Sequence, residues 1–206
     1  MLAYDAGLPA LLGHELRNPL AGAMTNVAVA AELTDADDPR ASLLRIAHRE
    51  LARLHALLER CLEFARLGRV ATGRHDLVAL VREVAERPRQ GRVRVRSASA
   101  RVEVGVDRAL FERALENLLE NAFAAGATAV ELVIEDGAEQ ALLDVSDDGP
   151  GVAANVRDRI FEPFVSGRGS HGLGLPFAKQ VVDAHGGSIR LTRSERGATF
   201  RIALPS

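Results

Sequence analysis

Residues 41–65, ASLLRIAHRELARLHALLERCLEFA, set Leu44, Leu51, Leu58 and Ala65 seven residues apart, with Ala47, Leu54 and Cys61 interleaved three residues on. A seven-residue apolar repeat is the seam by which one α-helix packs along others. Upstream, Leu8, Leu12, Leu16, Leu20, Ala23, Val27 and Ala30 recur at three- and four-residue steps, one face of another helix. Between the two, Thr34–Arg40 (TDADDPR) breaks the pattern with Asp and Pro, which suit a turn and a new helix start. The first third therefore reads as a helical hairpin. Two helices bury such seams poorly alone, so a homodimer closing a four-helix bundle is expected.

Gly68 to Gly73 ends the second helix, and from His75 the pattern changes. Residues 76–87 read as a helix. Arg92–Arg96 (RVRVR) and Arg101–Val106 (RVEVGV) alternate as strands do. A long amphipathic helix is expected from about Asp107 to Ala125, then strands at 129–134 and 141–145. A helix near 173–185 leads to strands at about 188–192 and 198–204. The expected fold class is α+β: the hairpin, then a two-layer α/β sandwich with a mixed or antiparallel sheet. The expected domains are 1–68 for dimerisation, a linker at 69–75, and 76–206.

Composition narrows the function. The chain has 206 residues and a net charge of −2, which gives no basic field, so nucleic acid is not an expected partner. Cys61 is the single cysteine. No internal disulfide can form, which fits a reducing, cytoplasmic setting. No apolar run approaches the roughly 18 to 20 residues that span a bilayer, and residues 1–13 lack the features of a signal peptide. A sensor domain or sensing partner is expected to lie outside this chain.

On the first helix, with Leu12, Leu16, Leu20 and Val27 as the buried stripe, about 100° per residue places His14 on roughly the opposite, solvent side. The residues run His14-Glu15-Leu16-Arg17-Asn18-Pro19-Leu20. This resembles the H-box, H-E-x-x-x-P, of the largest class of sensor histidine kinases. The resemblance implies that His14 is the phosphoacceptor and that Glu15 orients or deprotonates its imidazole. Asn18, four residues after His14, lies near the imidazole. By the family's phosphatase pattern it would orient a water against a regulator's phosphoaspartate. Pro19 frees the carbonyl of Glu15 and should bend the helix.

Four further segments resemble the ATP-binding domain of the same family, a fold shared with gyrase and MutL ATPases. Asn117-Leu-Leu-Glu-Asn121 resembles the N-box; Asn117 and Asn121 share a helix face, where their amide oxygens suit Mg²⁺ beside a triphosphate. Asp147-Asp148-Gly149-Pro150-Gly151 resembles the G1 box. There Asp147 would accept from the adenine amine, and Gly149 and Gly151 would let backbone approach the base. Ile160–Phe164 (IFEPF) resembles the F-box at the base of a lid. Gly172, Gly174 and Leu175 belong to a segment resembling the G2 box, a phosphate-binding turn entering a helix. Arg168 in the lid would pair with the γ-phosphate. Where the family often carries a basic residue, three positions beyond the second N-box Asn, this chain has Ala124.

The five segments occur in the family's order. They imply an ATP- and Mg²⁺-dependent protein-histidine kinase core that phosphorylates His14 and passes the phosphoryl group to a response-regulator aspartate. Two other readings stay open: a phosphotransfer or scaffold protein with a weakened ATP site, and a related ATPase of the same nucleotide fold.

Overall fold

The computed structural model describes the backbone of residues 7–35, 37–65, 70–165, 172–193 and 196–206. It describes their side chains except those of 7–12, 14, 60 and 63–65. The chain divides into two compact units, Met1–Gly68 and Arg69–Ser206.

The first unit is the hairpin of α1 (Gly7–Glu32) and α2 (Pro39–Ala65). Pro39 occupies the first turn of α2, where its missing N–H is no loss. The Asp38 carboxylate accepts the Arg40 N–H at 2.8 Å and satisfies one of the free donors of that turn. The apolar residues of α2 fall into two sets, and of the described heptad positions only Leu54 is exposed. Ala41 and Leu62 are buried and Leu51 and Leu58 partly so, whereas Leu43, Ile46 and Leu54 are 64%, 47% and 53% exposed. On α1, Leu16 belongs to the expected buried stripe yet is 50% exposed, as is Val29 at 47%. The apolar surface of each helix is wider than one neighbour covers, so part of it stays on the surface of the single chain. Among the described residues, no helix is long and apolar enough to cross a membrane.

The second unit opens with β1 (Gly73–Asp76), α3 (Leu77–Glu86), β2 (Arg92–Ser97), β3 (Glu103–Val106) and α4 (Arg108–Ala124). It continues through β4 (Ala129–Asp136), β5 (Gln140–Asp147), a 3-10 turn (Arg157–Arg159), α5 (Gly174–Ala184), β6 (Ser188–Arg193) and β7 (Thr199–Pro205). Five strands form one sheet in the order β2-β4-β5-β7-β6. The β2–β4 pair is parallel and the others antiparallel, so the sheet is mixed. β1 and β3 form a separate antiparallel pair. β1 takes up residues that read as the end of a linker; its sequence GRHD has no apolar alternation, and pairing with β3 alone makes it a strand.

Alternation along the central strands turns Val130, Leu132, Ile134, Leu143, Val145, Phe200 and Ile202 inward. They pack with Phe111, Leu115, Leu118 and Leu119 of α4 and with Phe177, Ala178, Val181 and Val182 of α5, all buried. Each large side chain so buried contributes about 2 kcal/mol. Asp76 and Asp107 cap α3 and α4 by accepting from Val78 and Leu110 N–H groups. His185, just past α5, is buried. Its Nδ1 meets the Val181 carbonyl at 2.7 Å, which places the proton there, and its Nε2 accepts the Asp107 N–H at 2.8 Å. The end of α5 is thereby tied to the start of α4, and the two helices run antiparallel.

Candidate functional site

β5 ends in Asp147 and Asp148 follows it; their fates differ because successive residues of extended chain face opposite ways. Asp147 turns inward and is 8% exposed. Its Oδ1 accepts the N–H groups of Gly149 at 2.8 Å and Ala198 at 3.2 Å. Among the described residues no hydrogen bond reaches its Oδ2. Burial pushes the Asp147 carboxyl above its ordinary range, and the two N–H donors oppose that shift. Asp148 turns outward and accepts from Thr128 N–H and Oγ1 at 2.7 Å each and from Ala129 N–H at 2.9 Å. Those bonds hold its carboxyl down to about 2. Asp147 thus keeps an oxygen for a ligand, while Asp148 pins the loop after α4 to the end of β5.

The glycines around Asp147 are there because backbone passes close. A Cβ on Gly149 would lie 2.9 Å from Asp147 Oδ1. Gly197, in the turn between β6 and β7, has φ +74, and a Cβ there would lie 1.9 Å from the Asp147 carbonyl oxygen. Its N–H donates to the Gly149 carbonyl at 2.8 Å. Gly151 also has positive φ, at 79°.

Asn117 and Asn121 lie one turn apart on α4. Asn117 Nδ2 donates to the Arg113 carbonyl at 3.1 Å, which leaves Oδ1. That oxygen lies 3.4 Å from the ideal Cβ position of Gly174, the first residue of α5. The half-buried side chain of Asn121 makes no hydrogen bond among the described residues. α5 begins without a side-chain cap, so its first N–H groups remain as donors. The donor chemistry fits a metal-bound phosphate: neutral amide oxygens on one side and an uncapped helix start on the other. Leu175 is half-buried in the first turn of α5.

Gly172 (φ 67°) and Phe164 (φ 66°) both have left-handed backbone. The Phe164 N–H donates to the Gly172 carbonyl at 2.8 Å. Phe161 packs edge-on against Phe200 at 6.3 Å between ring centres. Phe164, expected to pack at the lid base, is 67% exposed. Arg168 lies outside the described residues. Ala124 is exposed near the end of α4.

In the hairpin, the backbone of His14 is helical within α1, and its side chain lies outside the described residues. Glu15 and Asn18 are exposed. Between Glu15 and Asn18, Arg17 reaches across to α2: its Nε and a terminal nitrogen meet the two oxygens of Glu59 at 2.5 and 2.7 Å. Gly197 and Glu59 were not singled out by the sequence, since each depends on a contact between residues far apart in the chain; His185 reads from sequence as a structural residue at a helix end, and the structure places it there.

The architecture is thus a helical hairpin with a histidine motif joined to a nucleotide-type sandwich. Residues 10–69 match the His Kinase A (phospho-acceptor) domain, and residues 105–206 match the histidine kinase-, DNA gyrase B- and HSP90-like ATPase family. The alginate biosynthesis sensor protein KinB of Pseudomonas aeruginosa is 32% identical over 213 residues, covering 93% of this chain and 35% of KinB. Full-length ShkA in complex with AMPPNP has a TM-score of 0.80 at 28% identity, covering 98% of this chain and 46% of ShkA. The histidine kinase ThkA in complex with response regulator protein TrrA has a TM-score of 0.67 at 25% identity, covering 97% of this chain and 61% of the other. The chain belongs to the sensor histidine kinase family and carries its catalytic core. It spans about a third of the length of KinB.

Proposed function

We propose that the chain binds ATP with Mg²⁺ in the second unit, transfers the γ-phosphoryl group to His14, and passes it to an aspartate of a response regulator. The observation that carries this reading is the free Oδ2 of the otherwise bonded, buried Asp147, together with Asn117, Asn121 and the uncapped head of α5. Asp147 accepts from the adenine amine, and Gly149 and Gly151 let backbone approach the base. Gly172, Gly174 and Leu175 present the start of α5 to the phosphates, and Arg168 pairs with the γ-phosphate. Asn117 and Asn121 hold Mg²⁺, which when bound neutralises phosphate charge. An imidazole nitrogen of His14 attacks the γ-phosphorus in line, ADP leaves, and Glu15 takes the other ring proton.

Two chains acting together fit the apolar residues left exposed on the hairpin, Leu16, Val29, Leu43, Ile46 and Leu54. The neighbour ThkA was solved with a response regulator, which supports a receiver domain as partner. The need for ATP supports a cytoplasmic place. Ala124 removes a basic side chain from the end of α4, and Arg168 supplies the phosphate charge instead.

Titration with Mg-ATP tests the nucleotide site. Wild type is expected to bind, and Asp147→Asn to lose at least tenfold in affinity, since the acceptor becomes neutral beside a buried donor. Equal affinities would remove Asp147 from the site. The same reading gives Asn18 the water-orienting role in dephosphorylating the regulator. Asn18→Ala should abolish that activity and leave His14 phosphorylation in place; an unchanged dephosphorylation rate would refute the role.

A further inference from the structure

We infer that Glu59 is a positioning residue for the His14 reaction, acting through Arg17 on the turn that carries His14, Glu15 and Asn18. The inference rests on the reading of His14 as phosphoacceptor. Glu59 belongs to α2, 42 residues from Arg17 along the chain. The guanidinium of Arg17 meets both carboxylate oxygens, at 2.5 and 2.7 Å. A two-point fork fixes orientation as well as distance, which a single contact or a lysine does not. The pair is one-third exposed on each side, so it is neither a free surface pair nor a desolvated core pair. Such a pair adds little to overall stability and much to local geometry.

The turn it grips is the one that needs an outside hold. Pro19 lies inside α1 and has no N–H, so the Glu15 carbonyl lacks the helical donor four residues on. The ladder of α1 is weakest between His14 and Pro19. Arg17 lies three residues after His14 and one before Asn18, within that gap. Holding Arg17 against α2 therefore fixes the rotation of α1 about its axis, and with it the direction in which residues 14, 15 and 18 point. Reaction with a bound nucleotide depends steeply on such placement.

The test uses the full 206-residue chain and the variants Glu59→Gln, Arg17→Gln, both together, and Arg17→Lys. Autophosphorylation by Mg-ATP is followed for kcat and for KM. The expected result is a kcat about tenfold lower in each glutamine variant with KM for ATP unchanged, because neither residue belongs to the nucleotide-binding unit. The double variant should be no slower than the slower single, since both changes break one contact. Arg17→Lys, which keeps charge without the fork, should resemble Arg17→Gln. Backbone hydrogen exchange over residues 13–18 reads the hold without any activity, and Glu59→Gln should speed it there while helix content and oligomeric state stay as in wild type. Wild-type kcat and exchange in Glu59→Gln would overturn the inference. So would losses that multiply in the double variant, or a loss traced to a melted or dissociated hairpin. If wild type incorporates no phosphate, the phosphoacceptor reading fails, and a Glu59-dependent exchange pattern would then mark a hold with no bearing on phosphorylation, which also overturns it.

Discussion

Replacing Gly197 by alanine should damage a nucleotide site to which Gly197 contributes no side chain. Three effects add. An alanine at φ +74 is strained by about 1 kcal/mol. The new Cβ would lie 1.9 Å from the Asp147 carbonyl oxygen and 3.0 Å from its carbon. Relief to an ordinary contact needs a movement of about 1.5 Å by the β6–β7 turn or the end of β5, since non-bonded heavy atoms are comfortable at about 3.5 Å. That movement strains or breaks the Gly197 N–H bond to the Gly149 carbonyl and the Ala198 N–H bond to Asp147 Oδ1, each worth about 1 kcal/mol. The sum is about 3 kcal/mol, or a fall of roughly 10 °C in Tm for a unit of this size. Because the displaced atoms belong to Asp147 and Gly149, ATP affinity measured below the new Tm should also fall, by about tenfold or more. Calorimetry and ATP titration read the two effects. Gly186→Ala is the control: it shares the positive φ, at 71°, but its nearest neighbour would be Pro205 Cγ at 3.7 Å. It should lose only the strain and keep ATP binding. A Gly197→Ala protein that matches the control in both measurements would show that the close approach to Asp147 does not hold the site.

The Asp148 carboxyl, held to about 2 by the Thr128 and Ala129 donors, lies below its unfolded value of about 3.9. Its contribution to stability is therefore complete above about pH 4 and is lost as pH falls toward 2. Urea midpoints between pH 5 and 2.5 should fall more steeply for wild type than for Asp148→Asn, and parallel curves would contradict the assignment. Asp147 works in the opposite sense, because burial raises its carboxyl, so the acid limb of Asp147→Asn should be no shallower than that of wild type.

How far the sequence could be read follows from which contacts are local. The helices α3, α4 and α5 and the strands β4, β5 and β7 announce themselves through periodicity, and their bounds differ from the expected ones by a residue or two. β1 does not, because GRHD carries no alternating apolar face and exists only through β3. The exposure of Leu43 and Ile46, outside the heptad, is invisible too, since a heptad marks its own positions without saying which other apolar residues stay uncovered. The motif residues are legible as types at fixed spacings. The motif sets Asp147 apart from Asp148, but the anchoring of Asp148 on Thr128 and Ala129 is not legible, because it joins residues about 20 apart. Glu59, Gly197 and His185 act across 42, about 50 and 78 residues, a range at which one sequence offers no pattern.

Incubating the chain with γ-labelled ATP and Mg²⁺, wild type beside His14→Gln, reads the phosphoryl transfer and its acceptor together. Acid-labile, base-stable label is expected on wild type and none on the variant, with both proteins binding ATP equally. Label on both, or acid-stable label on wild type, would contradict transfer to His14.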